Sequence, residues 1–160
     1  MAADDAPVDQ ACVEGYLFVR SPPRLLLLRR PPSRGSIWVP VSGKIEPTDA
    51  GPAAAVRREI TEETDFRDLV SVEPLDWTVP FTGPDGRRWR LEAFAAELAA
   101  PSPPTLSAEH DAFEWVTFDA ATVRLHYDDN RAAAERLHAR LRGRSSATPV
   151  DPPPRARGAA

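Results

Sequence analysis

Apolar residues in this chain fall into short runs and alternations before they fall into helical stripes. Residues 11–19 are strand-like, and 25–28 are four consecutive leucines closed by Arg29 and Arg30, the pattern of a strand buried on both faces. Pro22 and Pro23 mark the turn between them. Residues 31–36 read as loop, because their prolines and Gly35 suit neither a helix nor a strand interior. A short strand over 37–41 leads into a loop at Gly43. Helix-start signals then converge: Gly51 can cap, Pro52 suits the first helical position, and Ala53, Ala54 and Ala55 follow, predicting a helix to about Thr64. Beyond it, 69–79 and 88–98 have strand character around a turn at 82–86, the pattern of a long hairpin. A proline-broken loop at 99–105 precedes a strand over 113–118, a short helix over 120–125 and a longer one over 130–141. In the last, Ala133, Leu137 and Leu141 share one side.

Composition bounds this picture. The chain of 160 residues is long enough for one substantial core and shows no internal repeat, so the periodicities support a single mixed α/β domain over 11–142. Residues 1–10 are expected to be flexible. From 143 to 160 the sequence turns to Gly, Ser, Pro, Ala and Arg, which predicts a disordered tail. A net charge of -4 argues against a nucleic-acid partner, so any polyphosphate ligand must be drawn by bound cations and local arginines. Cys12 is the single cysteine and excludes an internal disulfide, while residues 1–5 lack the basic and apolar regions of a signal peptide. The leucine run is far shorter than the ~20 apolar residues that cross a bilayer. A cytoplasmic location without a membrane partner is the expectation, as a monomer or a homodimer.

The chemistry concentrates at Glu59, Glu62 and Glu63, three carboxylates within five residues and with no cation inside that cluster. Spaced three and four apart, they share a helix face and repel by a few tenths of a kcal/mol per pair. A divalent cation converts that repulsion into binding, and carboxylate oxygens are the donors Mg²⁺ prefers.

The surroundings extend the signal. Gly43, Arg58, Glu59, Ile60, Glu62, Glu63 and Phe66 match the Nudix box, G-x5-E-x7-R-E-U-x-E-E-x-G-U with U apolar, and the chain resembles the Nudix hydrolase family. Two departures stand out. Counted back from Arg58, the glycine lies one residue too far, so the loop through Pro47, Thr48 and Asp49 carries an extra residue. Asp49 takes the place of the box's first glutamate, which in the family pairs with the arginine. Asp65 stands where the box has glycine, a left-handed helix end that Asp tolerates at a cost of roughly 1 kcal/mol.

The resemblance implies an α/β/α sandwich with a mixed sheet, and an enzyme that hydrolyses a nucleoside diphosphate linked to another group. It implies Mg²⁺, or Mn²⁺ in its place, held by Glu59, Glu62 and Glu63 with the backbone carbonyls of Ser42 or Gly43. Arg58 ties the loop to the helix. A fourth acid, among Glu92, Glu97 and Glu109, serves as a base candidate, with Glu109 favoured for its loop position beside His110. Arg34 and Lys44 are expected to bind phosphates, Trp38 to stack a base and Arg131 to clamp terminal phosphates.

Substrate rests on shorter likenesses. Residues 107–115, with Glu109, His110 and Trp115, resemble a segment of Nudix hydrolases of dinucleoside polyphosphates and nucleoside triphosphates. Residues 127–132, with Asn130 and Arg131, and the stretch Val41-Ser42-Gly43 are similar to the branch acting on dATP and dihydroneopterin triphosphate. A nucleoside or pterin triphosphate, cleaved to monophosphate and pyrophosphate, is therefore the expected substrate, ahead of a dinucleoside polyphosphate or nucleotide sugar. Two other classes stay open. A Nudix-fold module can bind a ligand without turnover, although such a module has no need of three metal-holding acids. An unrelated domain whose acidic helix docks on a basic protein leaves Gly43, Arg58 and the later strands unexplained.

Overall fold

A computed structural model describes residues 8–143. Most of the two expected flexible ends, 1–7 and 144–160, lies outside the described residues.

Seven strands form one mixed sheet with helices on both faces. Strand β1 (Gln10–Arg20) is central, pairing antiparallel with β2 (Pro23–Arg29) and β4 (Val41–Lys44) along one edge. Along its other edge it runs parallel to β6 (Arg88–Glu97), in register from Gln10 opposite Trp89 to Phe18 opposite Glu97. A parallel pair needs a crossover, and helix α1 (Pro52–Thr64) supplies it. The hairpin partner of β6 is β5 (Ser71–Thr82), while β3 (Trp38–Val39) and β7 (Ala112–Val116) flank β2. Helices α2 (Phe118–Arg124) and α3 (Asp128–Leu141) complete the domain.

Period-two alternation divides the core. In β1, Val13, Leu17 and Val19 face α1, whereas Cys12, Tyr16 and Phe18 face α2 and α3. The leucine run splits likewise, Leu26 and Leu28 to the first side, Leu25 and Leu27 to the second, which explains why it is apolar throughout. Gly15 lets α1 lie close to the sheet, since a Cβ there would stand 3.1 Å from Val56 and 3.3 Å from Ile60.

Several boundaries differ from expectation. Pro40, which has no N–H to donate, divides the single strand expected over 37–41 into β3, paired to β2, and β4, paired to β1. The loop at 31–36 contains a 3-10 turn (Pro32–Arg34). A register shift between Pro74 and Thr78 bends β5, with Asp76 in the left-handed region. The longer C-terminal helix begins two residues before the expected Asn130.

Candidate active site

Helix α1 buries Ala55, Val56, Glu59, Ile60, Glu63 and Thr64, a stripe of one helical period. Glu59 and Glu63 thus continue the face that packs on the sheet, while Glu62 flanks it with its side chain 56% exposed. Two acids have been placed where apolar residues would otherwise stand. Asp65 ends the helix in the left-handed conformation, its N–H donating to the Thr61 carbonyl at 2.9 Å.

The cluster does contain a cationic partner, contrary to the reading from sequence. Arg58 Nη1 lies 2.8 Å from Glu59 and 3.2 Å from Glu62, because the guanidinium folds back along its own helix. Its other nitrogens hold the preceding loop. Nε and Nη2 donate to the two carboxylate oxygens of Asp49, each at 2.9 Å, and Nη2 also donates to the Lys44 carbonyl. The shorter acid reaches because its loop is drawn in: Asp49 also accepts the Glu46 N–H at 2.8 Å. Arg58 holds its carboxyl below the usual range, with the Glu46 backbone contributing. Gly43 and Asp49 stand at the box's own spacing, so the extra residue falls between Asp49 and Arg58, not within 47–49.

Electrostatically, Glu63 is the extreme group. Its side chain is 2% exposed, and burial, followed by the charges of Glu109 and Glu59, pushes its carboxyl up to about 10, against the opposing Ser42 backbone N–H. Burial also raises Glu59, offset by its hydrogen bond from Arg58. His110 lies behind the pair, Nδ1 at 3.6 Å from Glu63 Oε1, and burial with the nearby Arg30 and Arg34 lowers it to about 4.

Three observations fit this donor set to a divalent cation. Glu63 Oε2 is buried without a hydrogen-bond partner. The carboxylate of Glu59 occupies the space beside Gly43, where a Cβ would lie 2.0 Å from its Cδ. Carboxylate and backbone oxygens are hard donors of the type Mg²⁺ takes. Among the described residues no three acids, histidines or cysteines already converge at ligand spacing, and Arg58 hydrogen-bonds both Glu59 and Glu62.

These groups open into a cleft of about 740 Å³. Of the residues expected from sequence, Glu59, Glu62, Glu63, Ser42, Gly43, Lys44, Arg34 and Glu109 line it. Arg58 acts from behind, through the loop. Trp38 and Arg131 do not line it, contrary to the expectation that they contact substrate. Trp38 has Arg29 and Arg124 over its ring at 5.8 and 4.4 Å. Arg131 donates to the carbonyls of Leu125 at 2.6 Å and His126 at 3.2 Å and pairs with Asp128, capping the end of α2. Glu97 is held by Arg20 at 3.0 Å, and neither it nor Glu92 reaches the cleft.

Arg30, His110 and Trp89 also enter the cleft, together with Phe81, which the sequence reading missed. The loop bearing Glu109 and His110 is fixed at both ends, by the Thr105 N–H on the Thr64 carbonyl and by Asp111 on Arg29. The neighbouring Glu109-His110 pair was the available signal for it. Phe81 and Trp89 are cross-strand neighbours, a signal visible only once the β5–β6 register is known.

The sequence profile of the NUDIX domain matches residues 15–140. An octanoyltransferase of Myxococcus xanthus is 36% identical over 119 residues, 72% of this chain and 32% of that protein, so the chain spans about a third of the length of the relative it matches. A Listeria monocytogenes structure described as a Nudix hydrolase is similar at TM-score 0.71 and 25% identity, covering 86% of this chain and 96% of that one. The dihydroneopterin triphosphate pyrophosphohydrolase of E. coli aligns at TM-score 0.70 and 22% identity, covering 82% and 97%. An Ap4A hydrolase of C. elegans gives TM-score 0.70 at 20% identity, covering 84% and 98%. The last two establish a shared fold alone.

Proposed function

The chain belongs to the Nudix family of pyrophosphohydrolases, and we propose that it hydrolyses a nucleoside or pterin triphosphate to monophosphate and pyrophosphate with the aid of Mg²⁺ or Mn²⁺. The observation that carries this reading is the buried Glu59–Glu63 pair set against Gly43 at the wall of a substrate-sized cleft.

Glu59, Glu62 and Glu63, with the carbonyls of Ser42 or Gly43, would hold the cation. Bound there, it supplies charge neutralisation at the phosphoryl oxygens and a water acidified for attack. The chain's own groups do the rest. Arg30, Arg34 and Lys44 line the cleft and bind phosphate oxygens, the guanidiniums in two-pronged fashion. Glu109, exposed at the cleft opposite Glu63, takes the proton from the attacking water. His110, lowered by burial and by the nearby Arg30 and Arg34, stays neutral in its buried position. Asp49 and Arg58 keep the Ser42–Lys44 strand and the helix in fixed relation.

A triphosphate is favoured over a dinucleoside polyphosphate because the cleft offers one aromatic wall, Phe81 and Trp89, and one pair of arginines. Ap4A hydrolase and the pterin enzyme share the fold, and the ADP-ribose complex of the Shewanella oneidensis NrtR domain shows that such a fold also holds a nucleotide sugar. The acyl transfer named for the longer Myxococcus xanthus relative is not brought to this chain. Assay of dATP, GTP, dihydroneopterin triphosphate, diadenosine tetraphosphate and ADP-ribose with Mg²⁺, reading phosphate and pyrophosphate, tests the reading. It predicts pyrophosphate from a triphosphate at the highest kcat/KM. A far higher kcat/KM for diadenosine tetraphosphate or ADP-ribose would overturn the substrate while leaving the hydrolase.

A further inference from the structure

Strand register puts a second, different surface into the same cleft. Cys12 on β1 lies between Lys44 on β4 and Leu91 on β6, and one step along, Trp89 on β6 lies between Gln10 on β1 and Phe81 on β5. Alternation puts Lys44, Cys12, Leu91, Trp89 and Phe81 on one face of the sheet. That face is the one turned from α1, because Cys12 and Leu91 belong to the core under α2 and α3 whereas Gly43 meets Glu59 of α1. The cleft therefore wraps around β4, which pairs with β1 alone among the described strands. Acids lie on one side of β4 and an aromatic wall on the other.

That wall is built with little freedom. The rings of Phe81 and Trp89 are stacked, centroids 5.8 Å apart and planes within 9°. Lys44 Nζ stands 5.2 Å from the centre of the Trp89 ring. At the hairpin tip Gly83 is buried against the indole, and a Cβ there would lie 2.8 Å from Trp89 Nε1. Leu91 and Cys12 make an apolar floor beside it.

We propose that this wall is the ring-binding subsite: the substrate's planar aromatic group packs on Trp89 and Phe81, and its phosphate chain crosses the edge of β4 past Lys44 to reach Glu59 and Glu63. Trp89 is then the residue that selects a substrate bearing an aromatic ring over a bare polyphosphate. The inference rests on the hydrolase reading for the position of the phosphates but not for the position of the ring. Stacking requires a flat π-face and little else, so the subsite favours rings as a class, with base identity a secondary matter.

The test is calorimetric titration of dATP, GTP and inorganic tripolyphosphate into the full chain, for wild type, Trp89→Phe and Trp89→Ala, with Ca²⁺ present. Wild type is predicted to bind both nucleotides more tightly than tripolyphosphate. Trp89→Ala weakens the nucleotides by about 10-fold or more and leaves tripolyphosphate unchanged, while Trp89→Phe, which keeps a π-face and the packing, stays within about 3-fold of wild type. Equal binding of nucleotides and tripolyphosphate by wild type would overturn the subsite, as would equal weakening of all three ligands in Trp89→Ala. Hydrolysis of dATP and GTP by the same three proteins, measured separately with Mg²⁺ in place of Ca²⁺, separates the two readings. Ring preference without hydrolysis counts against the acid cluster as a catalyst, and hydrolysis without ring preference counts against the subsite.

Discussion

At the level of single residues, the acid pair and its clamp make the sharpest claims. Glu63→Gln keeps the volume of the side chain and the neutral form that burial favours, so the protein should remain folded while kcat falls roughly 100-fold or more, because an amide cannot become the anionic ligand the cation needs. An unchanged kcat would remove Glu63 from the mechanism. The proton itself can be followed. Glu63 titrates near 10 against an ordinary 4.5, so the stability linked to its protonated form is fully present below about pH 4.5 and is lost as pH rises toward 10. His110 has the opposite sign, losing stability as pH falls from 6.5 toward 4, outside the range between pH 7 and 9. A cation taken up by Glu63 must displace that proton, so Mg²⁺ should raise Tm more at pH 9 than at pH 7. Equal increments in thermal melts at the two pH values would mean that Glu63 is not a ligand. Asp49→Ala removes both carboxylate contacts of the Arg58 fork, and activity should fall about 10- to 100-fold with a lower Tm. If kinetics and melting match wild type, the loop is held by other contacts.

Secondary-structure elements account for what could and could not be read from the chain. Glu59, Glu62, Glu63 and Arg58 were legible because one helix fixes their relation, and helix spacing is written directly in sequence. Asp49 was legible through the box spacing, although the extra residue was put on the wrong side of it. Trp38 and Arg131 were misplaced because an aromatic or a cation in sequence does not say which end of the sheet its strand or helix occupies. Phe81, Trp89 and Arg30 meet the acids only through the parallel β1–β6 pairing and the turn after β2, both long-range features. The end of α1 carries its own prediction. Asp65 sits at φ 61°, where glycine avoids the Cβ penalty, and its ion pair to Arg67 is exposed. Asp65→Gly should stabilise by a few tenths to about 1 kcal/mol, seen as a raised midpoint in urea, with kcat/KM unchanged. A lowered midpoint would show that the Arg67 pair outweighs the strain.

On the scale of the whole molecule, one sheet with a core on each face is enough to hold the cleft, and no helix among the described residues is long and apolar enough to cross a membrane. We propose residues 11–142 as a self-sufficient domain, so a chain cut to 8–143 should keep the Tm and kcat/KM of the full chain. A marked drop in either would mean that an end segment docks on the domain. The strands and helices follow from periodicities visible in the chain and the mixed sheet from the family resemblance, whereas the wrapping of the cleft around β4 follows from strand order, which periodicity does not encode. Everything proposed about function depends on the acids of α1 acting with a divalent cation on a phosphoric anhydride. The most direct measurement is release of pyrophosphate from dATP, GTP and dihydroneopterin triphosphate by wild type and Glu63→Gln, with Mg²⁺ and with EDTA. Pyrophosphate release is expected from wild type with Mg²⁺ and not with EDTA, and to fall sharply in Glu63→Gln; full turnover in EDTA, or in Glu63→Gln, would show that the acids of α1 and a divalent cation do not carry the reaction.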